Sequence, residues 1–180
     1  MRRSYLALFA LLGSLLLLGA CTANPVPEDP EPNDAFVFGH IDMGDAPVGL
    51  GWLTIRQFSP KVDEPYYYAG TASGTFYSWY LNTPGAFAIV SFGGSGYRTR
   101  YTFNVPRQVT DFRFKIKNPG VYYIGSFKYK EVDTGFFEAG KFQLEQVKTP
   151  TEKELLVKLI ELTKGTVVEP KLQARLKELK

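Results

Sequence analysis

The distribution of apolar and polar positions divides this chain into four stretches. From Leu6 to Leu18 almost nothing is polar, after the basic start Met1-Arg2-Arg3. Residues 22–35 then carry four prolines and four acidic side chains with hardly a large apolar residue, a composition that cannot bury enough surface to fold. Between residues 36 and 148 the chain is dense in Tyr, Phe, Val, Thr and Gly, with turn residues at short intervals. This is the pattern of an all-β unit. It predicts strands at Phe36–Ile41, at Trp52–Phe58 and at Tyr66–Tyr68, the last ahead of Gly70. About 110 residues suit one sandwich or small barrel rather than two domains. At Thr149 the period changes. Thr149-Pro150-Thr151-Glu152 has the form of a capping box with proline at the first helical position. Leu155, Leu156, Leu159, Ile160 and Leu162 follow at helical spacing. Gly165 fits a stop, and Glu169-Pro170 opens a second helix with Leu172, Leu176 and Leu179 on one stripe. Two short helices are marginal alone, so they are expected to pack on the β domain or on each other. The alternative is that the second docks on a partner.

The β stretch repeats itself. Tyr77 to Phe92 can be laid over Phe112 to Phe127 at an offset of 35 residues, so that Pro84-Gly85 falls on Pro119-Gly120 and Ser91-Phe92 on Ser126-Phe127. Each copy reads as an alternating strand, a Pro-Gly turn and a more continuously apolar strand. Proline presets φ for such a turn, and glycine accepts the positive φ of a type II turn. Two strand–turn–strand units stacked in one sandwich are expected, by duplication or by convergence on hairpin rules. The pattern resembles the transthyretin-like or carboxypeptidase-regulatory-like domains of bacterial envelope lipoproteins over roughly Tyr77 to Tyr129. The expected fold is therefore mainly β: an immunoglobulin/transthyretin-like antiparallel β-sandwich with a C-terminal pair of short helices. The resemblance carries no catalytic residues and implies a domain that supports, binds or positions something.

The first twenty residues have a basic start, an apolar core and small residues at a cleavage point, the three parts of a secretory signal. Leu18-Gly19-Ala20-Cys21 resembles the lipobox of bacterial lipoproteins. That resemblance implies signal removal, acylation of Cys21 and membrane attachment through its acyl chains, palmitate among them. More than one chain matters, because a single chain holds a protein only marginally. The other explanation is an uncleaved spanning anchor, but Leu6 to Ala20 is shorter than the ~20 residues a spanning helix usually needs, and no basic cluster follows it. Thr22 rather than aspartate after the cysteine points, by the sorting rule of double-membrane bacteria, to the outer membrane, facing the periplasm. The outer face of the plasma membrane and the cell surface are the alternatives. Residues 21–35 would form a tether at ~3.1 Å per residue, or about 40 Å of standoff at most, with the folded domain at 36–148 and the helical tail at 149–180.

Processing changes the charge. The chain is +3 overall, and removal of Arg2 and Arg3 leaves 19 basic against 18 acidic side chains, or +1. Setting aside Glu28, Asp29, Glu31 and Asp34 of the tether leaves 19 against 14, or +5, on residues 36–180. That is far from the footprint of a nucleic-acid binder. With its one cysteine taken by lipid, the folded part has no disulfide and depends on its core.

Candidate chemistry is sparse. A nucleophilic hydrolase needs a base held against its nucleophile, and the one histidine is His40. In a strand His40 and Asp42 share a face, so with Asp45 they are candidates for an acid–base pair or cation ligands. The plainer explanation is a strand end entering a polar turn, with His40 hydrogen-bonded to Asp42, since metal sites usually want more ligands. Gly93-Gly94-Ser95-Gly96-Tyr97 is only superficially a nucleophile elbow or phosphate cradle; a glycine-rich hairpin tip is expected. No cofactor or metal is implied. Basic residues alternate with apolar ones at Arg98 and Arg100, at Arg113, Lys115 and Lys117, and at Lys128 and Lys130, which puts each set on one side of its strand. Were these strands neighbours, they would present a basic face to lipopolysaccharide, anionic lipid or acidic glycan; otherwise they are a solvated surface that discourages edge pairing. Tyr66, Tyr67 and Tyr68 cannot all face one core, and exposed tyrosines suit sugar stacking or a protein contact. The expectation is a non-enzymatic, membrane-anchored accessory or binding module for an envelope protein or glycan. A polyanion binder and an envelope hydrolase using His40 with Asp42 or Asp45 are the alternatives.

Overall fold

The structure, a computed structural model, describes residues 33–106, 109–132 and 141–179. The leader, Cys21 and the tether up to residue 32 lie outside the described residues. Among the described residues there are nine strands: β1 (Asp34–Asp42), β2 (Trp52–Ser59), β3 (Tyr66–Ala72), β4 (Thr75–Asn82), β5 (Gly85–Ser95), β6 (Arg100–Asn104), β7 (Arg113–Ile116), β8 (Gly120–Val132) and β9 (Lys141–Val147). Helices α1 (Glu152–Leu162) and α2 (Glu169–Glu178) follow. The chain is thus mainly β with a C-terminal helix pair.

The strands form one continuous path, β6-β5-β2-β3-β4-β1-β8-β9, with β7 also on β5. The sheet curls into a half-barrel rather than separating into two clear layers. The turning point is β3. Its first half, Tyr66–Ala69, pairs with β2, and its second half, Gly70–Ala72, pairs with β4. Nor is the sheet purely antiparallel, because β1 runs parallel to β8.

The curl encloses the main core, with Leu53, Ile55, Phe76, Phe87, Ile89 and Phe92 almost wholly buried. Its two rims meet through aromatic rings. Phe103 of β6 lies 5.0 Å from Tyr129 of β8 and 5.5 Å from Phe142 of β9, centroid to centroid. Strand β1 is buried on both sides. Ala35, Val37 and Ile41 face the inner core, while Phe36 and Phe38 face outward under the helices. There they join Tyr77, Trp79, Leu155, Leu156, Leu159, Val168 and Leu172 in a second core. Period 2 in the strand thus meets period 3.6 in the helices.

The repeated segments are arches, not hairpins. β4 pairs with β1 and β3 whereas β5 pairs with β2, β6 and β7, so Pro84-Gly85 carries the chain across from one half of the sheet to the other. Pro119-Gly120 carries it back, from β7 to β8. The two copies meet where β5 pairs with β7, Phe87 against Phe114. Neither Gly85 nor Gly120 has positive φ, so the type II turns expected at both are not formed.

Three boundaries also differ from expectation. Asp34 and Ala35 belong to β1 rather than to the tether; Ala35 is fully buried between Leu81 and Gly120. The helix cap is Thr151, not Thr149, and Pro150 precedes it. Thr151 Oγ1 accepts from the Glu154 N–H at 3.3 Å and Glu154 Oε2 accepts from the Thr151 N–H at 2.7 Å. The Pro150 carbonyl accepts from Ser126 Oγ at 2.6 Å, which ties the helix start to β8. Finally, Gly93 and Gly94 lie inside β5, and the hairpin tip is residues 96–99. A Cβ on Gly93 would sit 2.0 Å from the Tyr101 carbonyl oxygen, so close backbone approach rather than a turn requires glycine there.

Candidate ligand-binding groove

The outer surface of the β2, β3, β5 and β7 portion is left bare by the helices. Along β2 Leu53, Ile55 and Gln57 point into the core, so Thr54, Arg56 and Phe58 point out. On β3 Tyr67 turns inward, where its hydroxyl donates to Gln57 Oε1 at 2.5 Å. Tyr66 and Tyr68 turn outward, 49% and 80% exposed. These side chains line a groove of about 530 Å³ with Ala88, Val90, Ser91, Asn104 and Arg113.

Strand register orders the groove into two rungs. Tyr66 pairs with Arg56, Arg56 with Ala88 and Ala88 with Arg113. At about 4.8 Å between strands, the two arginines stand roughly 10 Å apart at their backbones, with the small Ala88 as floor between them. In the second rung Tyr68 pairs with Thr54, Thr54 with Ser91 and Ser91 with Asn104. A register shift between Thr54 and Ile55 separates the rungs, with Val90 as the extra residue, and such a bulge re-aims side chains. One rung offers cations, the other hydroxyls and an amide. A second depression of about 470 Å³ shares Phe58 and Arg113 and extends the groove to Lys115.

The Arg56 guanidinium carbon lies 5.1 Å from the Phe58 ring centroid and 5.5 Å from that of Tyr66. Its Nε is buried with no hydrogen-bond partner among the described residues. A buried donor without an acceptor is costly. Arg56 and Phe58 were not singled out by the charge alternations. The signal for Arg56 was the apolar–polar alternation of Leu53-Thr54-Ile55-Arg56; it breaks at Gln57-Phe58, so nothing in the pattern pointed to Phe58.

The expected basic face does not assemble, because the strands that carry it are not neighbours. β7 pairs with β5, whereas β8 pairs with β1 and β9. Arg113 lines the groove, Lys115 its extension, and Lys117 follows β7 in an exposed turn. Arg98 and Arg100 sit at the far end of β5, against Tyr97 and Trp52 at 5.1 Å each; Ser95, which pairs with Arg100, is seven residues along β5 from Ala88, which pairs with Arg113, roughly 23 Å away. Lys128 and Lys130 are on β8, where Lys130 forms a salt bridge with Glu145. That hydrogen bond, with the charges of Lys130 and Lys128, holds the Glu145 carboxyl below its ordinary range. The pair is half-exposed and so adds little stability.

His40 and Asp42 line a separate cavity of about 380 Å³ with Met43, Ser73 and Gly74; Asp45 is in the exposed turn beyond β1. The expected His40–Asp42 hydrogen bond is not made at Nδ1, which is buried and has no partner among the described residues. Asp42 Oδ1 instead accepts from the Gly44 N–H at 2.9 Å. Burial pushes the His40 pKa down, Asp42 opposes this and Lys158 on α1 adds to it. Among the described residues no group of three or more His, Cys, Asp or Glu side chains is placed to hold a metal ion, and no helix is long and apolar enough to cross a membrane.

Set against models of known protein families, characterised proteins and solved structures, the chain matches none of them.

Proposed function

We propose that this chain is a lipid-anchored protein of the bacterial cell envelope, held through Cys21 at the outer membrane and facing the periplasm, whose folded part binds glycan without catalysis. The observation that carries the binding reading is the groove, where exposed Tyr68 ends a rung of hydroxyls and an amide, next to Arg56 with Tyr66 and Phe58 beside it. Aromatic faces stack on sugar rings while fixed polar groups set their orientation. A protein-accessory role through the tail is less favoured. The apolar stripe of α2 is spent on the chain's own second core, with Leu172 fully buried there. The lipobox at Leu18-Gly19-Ala20-Cys21 supports the anchor. The two sheet halves facing each other across one core support kinship with transthyretin-like sandwiches.

Retention of the full chain on immobilised envelope polysaccharide tests the binding. Tyr68→Ala should reduce retention at least fivefold while leaving the fold intact, because Tyr68 is 80% exposed. Equal retention of the variant would refute the groove as the site. Labelled fatty acid should enter the parent chain and be absent from Cys21→Ser.

A further inference from the structure

Resting on the glycan reading, the geometry points to a carboxylated sugar, a uronate unit within an oligosaccharide, as the ligand of this groove. Arg56 carries the argument. Its guanidinium is flanked by the Phe58 and Tyr66 rings, and its Nε lacks a hydrogen-bond partner among the described residues. A planar carboxylate is the acceptor that a guanidinium edge binds in a fork, through two parallel N–H···O bonds. A carboxylate entering the groove would pair with the Arg56 guanidinium and neutralise its charge.

The remainder of the groove favours a sugar as the carrier of that carboxylate. The neighbouring rung of Thr54, Ser91 and Asn104 offers donors and acceptors one rung away, where ring hydroxyls would lie. Tyr68, at the end of that rung, presents an open face. The cations lining the groove are both arginines, Arg56 and Arg113, and no carboxylate lines it among the described residues. An incoming carboxylate therefore meets no like charge among the described residues. The extension past Phe58 towards Lys115 gives a chain of such sugars room to continue.

Isothermal titration tests this with the full lipidated chain in a non-sugar detergent. The probes are the trimers of galacturonate, glucuronate and mannuronate, the methyl ester of each, a neutral glucose trimer, and inorganic phosphate as competitor. At least one free acid should bind tenfold or more tightly than its own ester. Arg56→Lys should lose at least tenfold for that acid and little for its ester, since an ammonium keeps the charge but not the fork. An unchanged urea midpoint for Arg56→Lys shows that its fold is intact. Tyr68→Ala should weaken acid and ester alike. Three results would overturn the uronate assignment while leaving glycan binding standing: esters or the neutral trimer binding as tightly as the acids, full binding by Arg56→Lys, or phosphate competing as well as the trimer. No binding of any oligosaccharide would overturn both.

Discussion

Replacing Leu172 by alanine tests whether the helical tail is part of the fold or an appendage. Leu172 is fully buried, in a cluster with Leu155, Leu156, Leu159, Phe36, Phe38, Tyr77 and Trp79. The substitution removes three carbon groups from that cluster, about 2.4 kcal/mol at roughly 0.8 kcal/mol each. Partial collapse around α2 would leave a cavity on the order of 50 Å³, which adds about 1.2 kcal/mol at ~24 cal/mol per Å³. The expected loss is therefore ~3.6 kcal/mol, or about 10 °C in Tm for a domain of this size. Urea unfolding should be followed by far-UV circular dichroism, which sees the helices, and by tryptophan fluorescence, since Trp79 stacks on Phe36 at 5.2 Å beneath them. Both signals should move together by the same amount. Val157→Ala, on the half-exposed face of α1, should change stability by less than ~0.5 kcal/mol. A Leu172→Ala loss below ~1 kcal/mol, or a helical transition that separates from the tryptophan transition, would refute a shared core.

The remaining predictions concern a buried titratable group and a helix start. Because burial lowers the His40 pKa in the folded chain, the unfolded chain binds a proton that the native state resists. Stability is then full above the ordinary histidine value of about 6.5 and falls as pH drops from there towards the folded pKa. His40→Gln should flatten the dependence of the urea midpoint on pH between about 7 and 5; an unchanged slope would assign the dependence to other groups. Thr151→Ala removes both side-chain bonds of the cap and should cost about 1 kcal/mol. In combination with Glu154→Ala the losses should be less than additive, since the two residues share one capping box. Strict additivity in a double-mutant cycle would show that the box contributes nothing as a unit.

What the sequence determined by itself is what local geometry controls. Aromatic and β-branched density between turn residues located β1, β2 and the start of β3, and period-two alternation located the first strand of each repeated segment, because a pleated strand sends successive side chains to opposite faces wherever it lies. The shift to helical spacing at Leu155 and the Glu169-Pro170 start located α1 and α2, and Gly165 does take positive φ between them. The cap was misplaced by two residues because both Thr149 and Thr151 precede a glutamate at the right spacing. Only packing against Ser126 of β8 decides between them.

Only the tertiary structure decided which strands meet. Backbone hydrogen bonding between strands is nearly indifferent to side-chain identity, so a strand's pattern states which face is buried but not which neighbour pairs with it. The Pro-Gly segments therefore read as hairpins and prove to be arches, and β1 finds a parallel neighbour more than eighty residues away in β8. For the same reason the seven cations that looked like one face are divided among three places, while Arg56 and Arg113, fifty-seven residues apart in the chain, come to share one rung. Faces are written in the local alternation of residues. A groove is a cross-strand object, and it exists only once β2, β3, β5 and β7 lie side by side.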